Sequence, residues 1–164
     1  MDTIKPLNKL NDTWNTYVHL HDNNDWSINS YIKLCELTDV ENAILLNDEI
    51  NYDLIKKTMI FIMKNDSLPM WEDKTNINGG CFSFKIVNKN IEKVWKDIFF
   101  RIIGGTISKN EEVYSNINGI TVSPKKNFCI LKIWMKSCEF QDTDIFVDIP
   151  GFSKYGCIFK RHVS

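Results

Sequence analysis

Leu68-Pro69-Met70-Trp71-Glu72-Asp73-Lys74-Thr75-Asn76, followed by Gly79-Gly80 and then Cys81-Phe82-Ser83-Phe84, sets a polar loop directly before an apolar run. The run continues to Val87 and reads as a β-strand, because β-branched and aromatic residues fit a pleated, half-buried surface. Working outward, runs of the same kind occupy 14–20, 31–34, 59–63, 117–122 and 128–135, with a last one near 157–159. They predict an antiparallel sheet.

Two segments break this rhythm and read as helices. One opens at Thr38 with Glu41 three residues on, a capping-box pattern, and is expected to run to about Ile50. The other follows Asn90, spaces Ile91, Val94, Trp95, Ile98 and Ile102 along one helical face, and stops at Gly104-Gly105. Helices this few, placed between strands without a strict βαβ alternation, predict an α+β fold. The sheet carries its helices on one face and leaves the other for a ligand. The polar segments 22–25, 76–80 and 109–112 read as turns, and no internal repeat or linker divides the chain. A single domain over 1–164 is expected, since 164 residues at 43% hydrophobic can bury a core unaided.

Composition narrows the function. A net charge of −1 excludes a polycation that holds nucleic acid by neutralising many phosphates, so a nucleic-acid ligand must be small and specifically gripped. Five scattered cysteines with no C-x-x-C pair indicate neither a disulfide framework nor a zinc site, and fit a reducing compartment. Residues 1–10 alternate polar and apolar with no signal-type apolar core, and no run of apolar residues is long enough for a membrane span. A soluble, cytoplasmic, monomeric protein is expected. His19 and His21 share a strand face but have no third metal ligand nearby. No nucleophile–base pair, phosphate-binding loop or cofactor motif stands out, so neither catalysis nor a cofactor is expected.

Trp71 lies in a loop too polar for a core and directly precedes two carboxylates; Trp26 lies in a second such loop, Asp22-Asn23-Asn24-Asp25-Trp26-Ser27. Two loop indoles and a carboxylate suit a flat cationic ring. Guanine methylated at N7 is one: stacking and cation–π attraction act on both faces, and a carboxylate accepts from its N1–H and N2–H together. Glu72, next to Trp71, is placed for that edge, while Asp73 is given no part in it.

Along almost its whole length the chain resembles the translation initiation factor 4E family, whose members bind the methylated guanosine cap of messenger RNA. The resemblance rests on Pro69-Met70-Trp71-Glu72-Asp73 with Gly79-Gly80, on Trp14 and Trp26 upstream, and on Val94-Trp95 through Ile103-Gly104. Ile133-Trp134, in register from Gly119, completes it. It implies a curved antiparallel sheet backed by helices on its convex face, with the cap in the concave face and the base between Trp26 and Trp71. It also implies that Glu72 reads the base edge and Trp134 touches the N7-methyl.

The chain departs from the family on the phosphate side. Cys81 stands where the family has an arginine, and Asn127 and Ile130 stand where it has lysines. Lys125 falls on a basic position, Lys126 is a substitute one residue on, and Lys160 and Arg161 are further candidates in a C-terminal part shorter than the family's and interrupted at Pro150-Gly151. The face that docks helical motifs of scaffold or repressor proteins corresponds to Val40, Ile44, Lys96, Asp97 and Phe100. There Ile44 replaces a tryptophan and Lys96 a leucine, and Asn8-Lys9-Leu10 replaces His-Pro-Leu. The resemblance thus implies a protein that recruits capped messenger RNA for initiation through a scaffold of the initiation factor 4G type or a dedicated equivalent. The alternative is a cap-binding translational repressor that does not engage the scaffold. A cap-modifying enzyme such as a methyltransferase would need a glycine-rich cofactor loop after a strand, which is not seen.

Overall fold

The computed structural model describes residues 7–163. Residues 1–6 and 164, and with them most of the alternating segment expected at 1–10, lie outside the described residues. Seven strands make one sheet: β1 Lys9–Leu20, β2 Ile32–Asp39, β3 Thr58–Lys64, β4 Gly80–Val87, β5 Ile117–Pro124, β6 Phe128–Met135 and β7 Ile158–Arg161. Their order across the sheet is β2-β1-β3-β5-β6-β4-β7, and every pairing is antiparallel. The sheet is curved, as expected.

Helix α1 (Val40–Glu49), the short α2 (Tyr52–Ile55), α3 (Ile91–Ile103) and α4 (Glu111–Asn116) complete the regular elements. In α3 the predicted stripe is the buried face: Ile91, Val94, Trp95, Ile98 and Ile102 are sealed with Phe82, Phe84 and Ile86 of β4 in the main core. Each such side chain stabilises the fold by roughly 1.5–3 kcal/mol through burial alone. The helix ends where it should. Gly105 takes φ +76°, and the next amide, that of Thr106, turns back to the carbonyl of Arg101 at 2.7 Å.

Two expectations need correction. Helix α1 starts one residue later than the capping pattern suggests. β2 runs on through Thr38, and the Asp39 carboxylate caps the helix by accepting from Asn42 N at 2.8 Å. Glu41 is not a capping-box partner; its carboxylate accepts from the amide and side chain of Asn8. Residues 109–112 are not a simple turn, because Asn110 caps α4 through a bond from Glu112 N. The C-terminal part interrupted at Pro150-Gly151 packs onto the sheet. Phe146, Ile149 and Phe152 are buried in the main core, so three aromatic and aliphatic anchors cover the sheet before β7 adds its outer edge.

Candidate functional site

Strand register fixes which side chains share the face away from the core helices. One row across the sheet reads Asn15, Met63, Gly119, Trp134, Cys81 and Lys160; the neighbouring row reads Tyr17, Phe61, Thr121, Lys132, Ser83 and Ile158. Side chains alternate along a strand, so both rows point to one side. Phe61, Met63, Cys81 and Trp134 form a second, smaller apolar cluster there, with Tyr17, Tyr31 and Met59 packed against it. Trp134 is 7% exposed and donates its indole N–H to Thr121 Oγ1 at 2.8 Å, so it is a fixed floor rather than a mobile arm.

Two loops rise over this floor from opposite ends of β3. Trp26 follows β1, whose last residue pairs with Thr58; Trp71 follows Lys64. Neither ring is core: Trp26 is 49% and Trp71 50% exposed. One face of Trp26 lies flat on His19, with centroids 3.9 Å apart and planes 1° from parallel. His19 is fully buried with its ring nitrogens against Asp25 O and Leu20 O, so it sets the tilt of Trp26 and leaves the other indole face to a ligand. Sequence reading missed this support. The i, i+2 pair His19 and His21 drew attention as a metal question, whereas His21 is exposed and His19 is a stacking plate.

The Trp71 loop is braced from within. The Asp73 carboxylate accepts from the amides of Leu68 and Thr75 and from the Thr75 hydroxyl. Asn76, fully buried, donates to Leu68 O and Met70 O, and Asn118 of β5 donates to Thr75 O at 2.7 Å and Asn76 Oδ1 at 3.0 Å. Asp73 therefore holds the loop that presents Trp71 and Glu72, a role the sequence did not disclose. Gly79 and Gly80 serve close approach: a Cβ on Gly79 would fall 1.8 Å from Met135 O, and one on Gly80 2.4 Å from Lys160 O. Glu72 is exposed. Burial and then the Glu72 charge push the Tyr31 hydroxyl up to about 12, and the Tyr31 ring centroid is 6.4 Å from that of Trp26.

On the side where the sequence leads one to expect phosphate contacts, the position taken by Cys81 is closed. Its thiol lies 3.1 Å from His162 Nε2, and His162 Nδ1 lies 2.6 Å from Asn76 O. Burial pushes the Cys81 thiol up to about 12. The consistent arrangement has S–H donating to Nε2 and Nδ1–H donating to the carbonyl. A thiol so protonated is an inert spacer and no nucleophile. Burial, reinforced by the charge of Lys132, holds the His162 imidazole below its usual value, so the ring is neutral near pH 7.

The predicted basic residues divide. Lys160 shares the row of Trp134 and Cys81. Arg161 pairs with Gly80 and so points to the opposite face, a correction that follows from the two-residue period of a strand. Lys125 and Lys126 sit exposed in the turn between β5 and β6, at the Trp26 end of the sheet. Two cations not singled out in the sequence point to the ligand face: Lys132, one row from Trp134, and Lys85, whose ammonium stands 4.3 Å from the centroid of the Phe128 ring. The alternation Cys81, Ser83, Lys85 opposite Phe82, Phe84, Ile86 carried that signal.

On the helix side Val40, Ile44 and Phe100 are exposed by 36%, 43% and 39%. Lys96 and Asp97 are half-buried, and Asp97 is engaged by Arg101 Nε at 2.7 Å. Among the described residues no three His, Cys, Asp or Glu side chains gather as a metal site would need, and no helix is long and apolar enough to cross a membrane.

Comparison with known proteins agrees with this geometry. The family model described as eukaryotic initiation factor 4E matches residues 8–150. The eukaryotic translation initiation factor 4E of Eremothecium gossypii is 30% identical over 166 residues, covering 97% of this chain and 71% of that protein. Over the first three curated relatives the chain spans between 64% and 71% of their length. Among solved structures, Ascaris suum eIF4E-3 with m7G cap superposes with a TM-score of 0.72 at 20% identity, covering 85% of this chain and 79% of that one. Schistosome eIF4E complexed with m7GpppG and 4E-BP gives 0.69 at 22% identity, covering 82% and 75%.

Proposed function

Because the chain belongs to the eukaryotic initiation factor 4E family, we propose that it binds the 7-methylguanosine cap of messenger RNA and recruits it for translation in the cytoplasm, leaving the cap unchanged. The observation that carries this reading is the pair of half-exposed indoles on loops from opposite ends of β3, over a floor holding Trp134. The base lies between Trp26 and Trp71, Glu72 accepts from its N1–H and N2–H, and the N7-methyl meets the edge of Trp134. Stacking on a cationic ring supplies selectivity, and the carboxylate supplies a charge-assisted paired hydrogen bond. The phosphates run along Lys160, Lys132 and Lys85, with Lys125 and Lys126 contributing from the turn. No cation replaces the family's arginine at Cys81. Tryptophan-fluorescence titration with 7-methylguanosine triphosphate against unmethylated guanosine triphosphate tests the reading, and equal affinities would remove it.

The partner reading rests on Val40, Ile44 and Phe100, an exposed apolar set on the helix face that suits an amphipathic helix of a scaffold of the initiation factor 4G type or a dedicated equivalent. The half-buried Lys96 and the Asp97–Arg101 pair favour a second reading, a repressor that holds caps without engaging the usual scaffold. Retention on cap resin from a translation lysate separates them. Scaffold in the eluate supports recruitment, and its absence supports repression.

A further inference from the structure

The Trp71 loop has a second side. Beneath it, at the Lys64 end of β3, lies a cleft of about 550 Å3 that shares no residue with the two rows carrying Trp134 and Lys132. Lys64, Lys74 and Lys136 line it together with Asp66, Ser67 and Asn78. Three ammonium groups against one carboxylate leave an excess of two positive charges in a protein whose net charge is −1.

Solvated surface lysines are the ordinary explanation of such a patch, and Lys64 does not fit it. Its residue is 8% exposed, its ammonium donates to Tyr114 O at 2.7 Å and stands 4.1 Å from the Tyr114 ring centroid. Among the described residues no carboxylate lies within ion-pair distance of Lys64, Lys74 or Lys136. The carboxylate that acts on Lys64, Asp12, is already engaged by the Tyr114 hydroxyl at 2.6 Å and by Asn65 at 3.0 Å. An ammonium has three donors, and the carbonyl of Tyr114 takes one. A buried cation with no carboxylate in direct contact is costly unless something supplies one. Burial pushes Lys64 down to about 8, with Asp12 opposing the shift and the neighbouring Lys136 adding to it.

We propose that this cleft is a second anion site, distinct from the cap site, that takes a phosphate group. Phosphate fits because its several acceptor oxygens can be met at once by ammonium groups on three separate segments and by the hydroxyl of Ser67. The ligand is the chemistry shared by an RNA backbone and a free polyphosphate. Asp66, at the rim, disfavours a carboxylate-rich peptide no less than a phosphate, so the discrimination lies with the density of acceptor oxygens.

The test is a titration of the full chain with inorganic triphosphate, followed by amide and side-chain nitrogen–proton correlation spectra. The expected result is a saturable shift of the Asn118 side-chain amide and the Thr75 and Ser115 backbone amides. It should weaken at least ten-fold in Lys136→Ser, and the same shift should survive in Lys132→Ala. Lys64→Met, which keeps an apolar stem over Trp14, should abolish it; if that variant fails to fold, Lys74→Ser at an exposed position takes its place and should weaken binding as well. A short uncapped oligoribonucleotide that moves the same signals places the phosphate in an RNA chain, and one that leaves them unmoved while triphosphate binds places it in a free polyphosphate. Signals that stay still with triphosphate, or shifts unchanged in Lys136→Ser, overturn the proposal. Because no cap analogue enters the titration, its failure would leave the cap-binding reading untouched, and the reverse holds too.

Discussion

The candidate cap site has two halves built on different logic. The half assigned to the base rests on loops: Trp26 braced by His19, and Trp71 with Glu72 presented by a loop that Asp73 and Asn76 tie down. The half assigned to the phosphates rests on strands, where Lys160, Lys132 and Lys85 project in adjacent rows around a Cys81–His162 pair. By the sequence resemblance the proposed base half keeps Trp26, Trp71, Glu72 and Trp134, whereas the proposed phosphate half has Cys81, Asn127 and Ile130 at basic positions and holds Lys132 and Lys85 elsewhere on the same face. Sandwiching a flat ring and pairing its edge requires particular side chains in a particular geometry. Attraction to a phosphate chain falls off gently with distance, so a cation can act on it from more than one position.

The sharpest way to break this contrast is at Glu72. Glu72→Ala should weaken binding of 7-methylguanosine triphosphate by about 2–5 kcal/mol, the magnitude for removing one partner of a buried charged hydrogen bond. The thermal midpoint should hold, because Glu72 is exposed in the free protein. Fluorescence titration with thermal melts reads both, and a variant that binds as well as the parent would strip Glu72 of its role. Next in size is the methyl itself. The methylated nucleotide should bind tighter than the unmethylated one by roughly 2 kcal/mol or more, the scale of a desolvated cation–π contact.

Asp73→Ala separates presentation from contact. Sequence reading left Asp73 without a role and would have it cost little. The three donors it accepts instead predict a loss of about 1–3 kcal/mol in stability, the cost of orphaning such groups, with a smaller part appearing in cap affinity. Hydrogen exchange across 66–78 should accelerate in this variant and not in Glu72→Ala. Smaller still, Lys132→Ala and Lys160→Ala should each remove up to about 1 kcal/mol of the advantage of triphosphate over monophosphate, as suits half-screened cations. Lys125→Ala with Lys126→Ala should remove less than either, because those side chains stand in the turn beyond the rows. If the turn pair matters more, the phosphate path leaves the sheet earlier than proposed.

The sheet was legible because its strands announce themselves twice over, in β-branched content and in alternation, and α3 because seven apolar residues fall on one helical face. What escaped was set by partners distant in sequence. β2 outran its expected end because Cys35, Glu36, Leu37 and Asp39 pair across to β1, and α4 was hidden in a polar segment whose cap is a single Asn110. In the site, the loop tryptophans and Glu72 were legible from residue type next to residue type. Lys132, Lys85 and His162 were not, since only the register of β6, β4 and β7 brings them to one face, and the same register turned Arg161 away.

The smallest expected effect concerns His162, and it bears on whether the phosphate half can be loosened without touching the base half. Its imidazole is held below the ordinary value of 6.5, first by burial and then by the charge of Lys132, against the opposing hydrogen bond to Asn76 O. With β7 docked the ring prefers to be neutral; undocked, it takes a proton near the ordinary value. Between those two values the undocked state binds more protons, so docking is fully favourable above about 6.5 and weakens as pH falls through that point. Protonation would also place N–H at Nε2 against the Cys81 thiol, which can no longer donate to it. The ring lies 5.4 Å from that of Trp134. Lowering pH from 7.5 to about 5.5 should therefore alter Trp134 emission and shave the thermal midpoint slightly, the weak response one half-buried titrating group can give. His162→Gln should flatten that part of the profile while the methyl selectivity set by Trp26, Trp71 and Glu72 stays as it was. A profile identical in the two proteins would remove His162 as the source of the transition.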